Sequence, residues 1–331
     1  MGELRIGKIR SLQQIANSAG IFAMCAMDHR GSLKKMINKE DPKSVSYELM
    51  VEYKQELCGT MAPFSSAVLL DPNTGAAQCI GGGNLPGSVG LLVSMESTGY
   101  GGGAEGRVTE LLEGWSAEKI RRMGGSAGKI LLYYRPDLGE LATKQLEVVK
   151  RAAADCANSD IAFLLEPVAY PIGDEVGHPE AMAEQLPNLV IETARQVTQM
   201  DIDVLKAEFP ANMKYEKDEG KLFDYCQQLN EASRVPWVVL SAGVTFEVFA
   251  KQVELACKAG ASGFLGGRAI WQEAMDIKDR KERMHYLSTT AADRMKRLAA
   301  LATEYGSPWY KKIGAVDGKV GDVPEKWYSA Y

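Results

Sequence analysis

A single α/β domain, built as a (βα)8 barrel of parallel strands, is predicted by three observations. Eight short apolar runs recur along the 331 residues, amphipathic segments of helical length separate nearly all of them, and no composition break or linker divides the chain. Strands that alternate with helices throughout make a parallel sheet, and eight repeats in this length close it into a TIM barrel.

The apolar runs are Ile21–Met27, Ser66–Leu70, Val89–Ser94, Gly128–Tyr134, Ile161–Glu166, Asp203–Glu208, Trp237–Ser241 and Ser262–Gly266. Each is too short for a helix and is bounded by polar, Gly or Pro residues, as buried strands are. Helical spacing is read over Ser44–Cys58, Ser116–Met123, Glu140–Cys156, Pro179–Met200, Lys221–Ser233 and Phe246–Ala259, with Thr289–Tyr305 after the last run. Ser44, Ser116 and Thr245 are the expected N-caps, because a short side-chain oxygen there satisfies an orphan backbone N–H. Only the second strand lacks a following helix: residues 73–87 read as a loop or one short turn. The spacing G-x-G-x-x-G at Gly101, Gly103 and Gly106 follows the third run and does not open a helix directly. It therefore reads as a flexible βα loop, not as a dinucleotide site, and the Gly81–Gly83 triplet reads the same way. The barrel is expected to occupy residues 1–305, with residues 306–331, rich in Pro, Gly and aromatic side chains, docked on it as an arm.

Composition narrows the function. The net charge is −5 and no run of Lys or Arg suggests a nucleic-acid or membrane partner. No segment offers about 18 uncharged apolar residues in a row. Six scattered cysteines without a CxxC pair fit buried free thiols in a reducing cytoplasm. A cytoplasmic enzyme acting on a small molecule is expected, and the aromatic tail makes a homo-oligomer, first of all a dimer, the expected assembly.

A barrel of this kind works at the C-terminal ends of its strands. The first strand ends in Asp28, His29 and Arg30, the fourth carries Lys129, the fifth ends at Glu166, and the sixth holds Lys206 and Glu208. Lys206 lies inside its run and shares strand parity with Val204 and Glu208, so it faces the same side as an apolar residue and a carboxylate. A buried ammonium needs partners or a lowered pKa. An ordinary lysine is almost wholly charged at pH 7; desolvation and a second ammonium such as Lys129 would raise the fraction of free amine. Such an amine attacks a ketone, and the resulting iminium withdraws electrons so that a carbon–carbon bond can break. A carboxylate must then move protons, and Glu166, on the neighbouring strand, is the best placed. After strands seven and eight, "SAGV" and "GGRA" offer small residues whose N–H groups can approach an anion, with Arg268 able to grip it as a fork. The three histidines, His29, His178 and His285, stand at no metal-ligand spacing, and neither a metal nor another cofactor is expected.

These blocks resemble those of the class I (Schiff-base) tagatose 1,6-bisphosphate aldolases and their sulfofructose-phosphate aldolase relatives. The resemblance is carried by "AMDHRGSLKKM" (26–36), "STGYGGGAEGR" (97–107), "GKILLYYRPD" (128–137), "FLLEPVAY" (163–170), "DVLKAEFPANMKY" (203–215), "PWVVLSAGV" (236–244) and "GFLGGRAIWQ" (263–272). It implies that Lys206 forms the iminium, that Glu166 is the acid/base and that Lys129 tunes the amine and holds substrate. Asp28 is implied to contact the carbinolamine hydroxyls, with Ser241, Gly243, Gly267 and Arg268 cradling the C1 phosphate of a ketose; Arg30 is a further expected substrate contact. His29 and Ser97 stand where the family pattern has glutamine and lysine, and the second difference bears on a charge at the sugar's far end. The expected reaction is cleavage of a ketohexose phosphate to dihydroxyacetone phosphate and a three-carbon aldehyde. A sulfofructose phosphate substrate is the first alternative. A phosphosugar isomerase or epimerase on the same barrel, with no covalent adduct, is the second.

Overall fold

The computed structural model describes residues 5–101, 106–316, 318–329 and 331. Helix α1 (Ile6–Ile15) precedes β1 (Phe22–Ala26), α2 (Gly31–Ile37) and α3 (Tyr47–Met61). Then come β2 (Ala67–Leu70), α4 (Ala76–Gly81), β3 (Gly90–Ser94), α5 (Ala117–Arg122), β4 (Ala127–Tyr133), α6 (Gly139–Asn158) and β5 (Ala162–Val168). The second half runs α7 (Pro179–Val197), β6 (Val204–Ala207), α8 (Glu219–Ala232), β7 (Trp237–Leu240), α9 (Phe246–Lys258), β8 (Gly263–Gly266), α10 (Arg268–Trp271), α11 (Arg280–Tyr286), α12 (Ala292–Tyr305) and α13 (Trp309–Lys312). The eight strands close in sequence order, each parallel to its neighbours, with β8 returning to β1. This is the (βα)8 TIM barrel that the alternation predicts.

Alternate strand residues point inward. Phe22, Met24, Leu69, Leu164, Val204 and Leu265 belong to one apolar cluster inside the barrel, whereas neighbours such as Ala23, Val68, Leu165 and Leu205 join the cluster beneath the helices. Apart from the few polar residues toward the C-terminal mouth, both faces of the strands are apolar, which is why the strands read as near-continuous runs. Helix α1, which the sequence reading does not anticipate, closes the N-terminal end: Leu12 and Ile15 enter the interior cluster, and buried Lys8 reaches Asp203 Oδ2 at 3.0 Å. Its buried face carries Lys8 and Ser11 beside the apolar positions, and this polar admixture hides the helical period. Trp309 is buried in the same cluster and donates its backbone N–H to Gly20 O, while Trp327, Tyr328 and Tyr331 near the terminus are exposed.

One expected cap moves. Ser46 caps α3 by accepting from Leu49 N, while Ser44 lies in a preceding short turn and donates its hydroxyl to Asp41 O. Ser116 caps α5 as expected; Thr245 precedes α9 without a side-chain cap bond. The six cysteines are free and buried. Gly101 and Val108 pair in an antiparallel bridge after β3, as do Glu96 and Leu111, so residues 96–101 and 108–111 run alongside each other. Gly103 lies outside the described residues.

Candidate active site

Barrel register builds the site. Leu164 pairs with Val204 and Leu165 with Leu205, which brings Glu166 level with Lys206; Lys129 pairs with Leu164, one inward position below Glu166. Lys129, Glu166 and Lys206 thus project from three adjacent strands into one cavity of about 680 Å³ at the C-terminal mouth. A volume of that size accommodates a small metabolite. The cavity wall also includes Asp28, Arg30, Ser241, Gly267 and Arg268. Gly243, expected among them, is not part of the wall: it lies behind Arg268, and Ala242 lines the cavity in its stead. Gly243 has φ +76°, and a Cβ there would stand 3.1 Å from the Arg268 Cζ, so glycine lets the guanidinium rest on the backbone.

The two lysines differ sharply in their partners. Lys129 Nζ lies 2.8 Å from Asp28 Oδ2, 2.8 Å from Glu166 Oε2 and 3.1 Å from Glu96 Oε1, so three carboxylates surround an ammonium that has three protons to give. Burial acts against the charge, but Asp28, Glu166 and Glu96 outweigh it and hold Lys129 well above the usual lysine range. The second ammonium expected beside Lys206 is therefore paired with three carboxylates of its own. Among the described residues Lys206 Nζ has one ion-pair partner, Glu166 Oε1 at 2.7 Å.

Burial works to raise the Asp28 and Glu166 carboxyls, yet Lys129, with Lys206 and other nearby positive groups, more than offsets it; both stay below the ordinary carboxylate range. Burial pushes His29 down to about 3 against the pull of Asp28, so its ring is neutral at pH 7, edge-on to Trp271 at 5.2 Å. Arg30 donates to Glu96 O at 2.8 Å and faces Glu96 Oε1 at 3.4 Å, tying the ends of β1 and β3 together. Gly267 N–H points to Ser241 Oγ at 3.4 Å, bringing the loops after β7 and β8 together. Ser97 lines the cavity with its hydroxyl on Leu111 O.

Sequence reasoning misses Glu96, which continues the inward parity of Leu92 and Ser94 past the end of β3; the same search of strand ends would have found it. Arg107, Lys35 and Tyr133 also line the cavity without having been singled out.

Glu208 offers a direct test of local electrostatics. Burial, with the Glu166 charge adding to it, pushes its carboxyl from 4.5 to about 7, although Ala169 N–H donates to it. Between those values the folded protein holds a proton that the unfolded chain has lost, so stability falls as pH rises through this window and levels off above it. Glu208→Gln is expected to raise the melting temperature above pH 7, by an amount equivalent to roughly 1–3 kcal/mol, and to leave it unchanged below pH 4.5. Thermal melts of both proteins across pH check this; parallel curves would refute it.

Residues 22–273, which take in all eight strands, match the DeoC/LacD family of aldolases. The tagatose 1,6-diphosphate aldolase of Listeria monocytogenes serotype 4a (strain HCC23) is 32% identical over 341 aligned positions, covering 96% of this chain and 98% of the relative. That of Lactococcus lactis subsp. lactis is 30% identical, covering 92% and 98%. Among solved structures, an archaeal fructose 1,6-bisphosphate aldolase superposes with a TM-score of 0.58 at 22% identity, over 89% of this chain and 99% of its own. Fructose-bisphosphate aldolase from Plasmodium falciparum superposes with a TM-score of 0.72 at 15% identity, over 93% and 97%. At such identities the structures speak for the barrel alone. The sequence matches run through every strand that supplies the cavity, and the chain belongs to the DeoC/LacD aldolase family.

Proposed function

We propose that the protein is a class I aldolase that cleaves a ketohexose 1,6-bisphosphate of the tagatose type to dihydroxyacetone phosphate and a three-carbon aldehyde phosphate, through an iminium on Lys206. The observation that carries this reading is the contrast between two buried lysines at one cavity. Lys129 is ringed by the carboxylates of Asp28, Glu96 and Glu166, while among the described residues Lys206 has a single carboxylate partner, Glu166.

In this reading Lys206 passes a proton to Glu166 and attacks the C2 carbonyl. Loss of water from the carbinolamine, with Glu166 returning a proton to the departing hydroxyl, gives the iminium. Glu166 then accepts the C4 hydroxyl proton as the C3–C4 bond breaks, the aldehyde leaves, and the electron pair is held as an enamine on Lys206. Protonation at C3 and hydrolysis return the free amine. Lys129 fixes the orientation of Glu166 and Asp28 and supplies a positive charge where the C2 oxygen departs. The C1 phosphate is assigned to Arg268 and the N–H groups around Ser241 and Gly267.

The test is intact-protein mass spectrometry after borohydride treatment, with and without dihydroxyacetone phosphate. A stable mass increase on the peptide holding Lys206, seen only with the ketone, is expected; an unmodified protein that binds the ketone would overturn the proposal. Glu166→Gln is expected to slow cleavage by ~10²–10³ while some adduct remains trappable, because the amide cannot accept a proton. Steady-state rates beside the trapping yield check this, and full activity would move proton transfer to another carboxylate.

A further inference from the structure

Glu208 stands in the cavity without a part in the proposed chemistry. It continues the inward parity of Val204 and Lys206 one residue past the end of β6, about 7 Å nearer the mouth than Lys206. The half-buried carboxyl is seated by the loop after β5, where Ala169 N–H donates to Oε2 at 2.8 Å. Glu166, by contrast, is seated by two ammoniums, one on each oxygen. The charged group that faces Glu208 from β5 is Glu166, and on its own strand Lys206 is paired to that same Glu166. Val190, Thr193 and Ala194 of α7 beside it carry no charge, nor do Leu240, Ser241 and Ala242 after β7. Burial and the like charge of Glu166 therefore leave the Glu208 carboxyl present in both protonation states near neutral pH, while Glu166 is held ionised.

One proton of the cycle still needs a donor. Departure of the aldehyde leaves an electron-rich enamine carbon at C3, which must gain a proton before hydrolysis can free Lys206. Glu166 has by then taken the C4 hydroxyl proton, and its surroundings favour its ionised form. The barrel below the lysines is filled by Phe22, Met24, Leu69 and Leu164, so the aldehyde departs toward the mouth. The space it vacates lies on the side of Lys206 where Glu208 stands.

We propose that Glu208 is a second catalytic carboxyl, which protonates C3 of the enamine in cleavage and removes the same proton in condensation. The enamine π pair forms the new C–H bond, the O–H pair returns to the Glu208 carboxylate, and the nitrogen lone pair remakes the iminium that water hydrolyses. Glu208 then regains a proton from solvent at the mouth, and Glu166 releases the one taken from the C4 hydroxyl, so the proton balance closes. This rests on the proposed aldolase reading and divides its proton transfers between two carboxyls.

The experiment follows deuterium exchange into dihydroxyacetone phosphate by NMR, with no aldehyde present, beside borohydride trapping and oxidation of the enamine by hexacyanoferrate(III). The wild type is expected to form the adduct and to exchange hydrogen at the carbon that becomes C3. Glu208→Gln, of the same shape but unable to carry the proton, should exchange ~10²–10³-fold more slowly and keep the trapped adduct. With a ketohexose bisphosphate it should release a burst of aldehyde and then turn over slowly, as the enamine accumulates and becomes open to the oxidant. Glu166→Gln should show no such burst, because there the cleavage step itself is slowed. Formate should restore part of the exchange in Glu208→Ala, where truncation leaves room for a small carboxylate, and none in Glu208→Gln. Exchange at the wild-type rate in Glu208→Gln would overturn the assignment. Loss of exchange and adduct together would do the same, by making Glu208 a support for the loop of Ala169. A wild type that forms no adduct overturns the aldolase reading and this assignment with it, whereas an adduct whose exchange ignores Glu208 overturns the assignment alone.

Discussion

Lys206→Met is expected to fold normally and to cleave ketose phosphates at least ~10⁴-fold more slowly than the wild type, with no borohydride-trappable adduct. The size of the effect follows from the step lost. Without a primary amine no iminium forms, and the electrons of the C3–C4 bond have no acceptor. The fold survives because Glu166, the carboxylate that Lys206 contacts among the described residues, keeps its ion pair with Lys129 at 2.8 Å. Lys206→Arg separates covalent chemistry from charge: it restores a cation beside Glu166 yet offers no nucleophilic amine at neutral pH, so it too should be inactive. Progress curves with a ketohexose bisphosphate, together with thermal melts of each variant, check this. Substantial turnover by either variant would transfer the covalent role elsewhere and remove the basis of the aldolase reading.

The difference between the two lysines shows what a sequence conveys and what it hides. Strand parity is a local property, so Lys129, Glu166 and Lys206 can be assigned to the barrel interior from the apolar runs that hold them. Strand order is equally accessible, because parallel strands joined by helices follow one another around a barrel. Relative height is not local: that Glu166 stands level with Lys206 and above Lys129 depends on the stagger between strands, which pairing alone reveals. The pairing of Lys129 with three carboxylates was hidden for that reason, since it requires Glu96 and Asp28 to arrive at its height from β3 and β1. Arg107 was hidden more deeply. It enters the cavity beside the Gly101–Val108 bridge, and no periodicity marks a side chain delivered that way. Helices α2, α4 and α11 are each seven residues or shorter, too brief for a 3.6-residue period to stand out, and in the ten-residue α1 buried Lys8 and Ser11 mask it, whereas α3, α6, α7, α8, α9 and α12 agree with their patterns to within a few residues.

Lys129→Met is expected to destabilise the protein by ~3–5 kcal/mol at neutral pH, in addition to abolishing activity. Removing this ammonium leaves the buried Glu96 and Glu166 and the partly buried Asp28 around an apolar side chain, with Lys206 and Arg30 at the margins. Three carboxylates cannot all remain charged there, so they take up protons, and the cost of folding becomes pH-dependent. In the wild type the lowered Asp28 and Glu166 values supply stability that is complete above the ordinary carboxylate range and is lost only as pH falls below it. The raised Lys129 value supplies stability that persists to pH above the ordinary lysine value of 10.5. Wild-type stability from this cluster is therefore flat from about pH 5 to 9. In Lys129→Met the carboxyls titrate upward, so stability should decline steadily as pH rises from about 4.5, and the gap to the wild type should widen with it. Melting temperatures of both proteins from pH 4 to 9 measure the gap directly. A constant offset would mean that the carboxylates do not depend on Lys129 for their charge. A gap confined to low pH would reverse the sign of the coupling and with it the account of how this barrel keeps three acids charged beside one reactive amine.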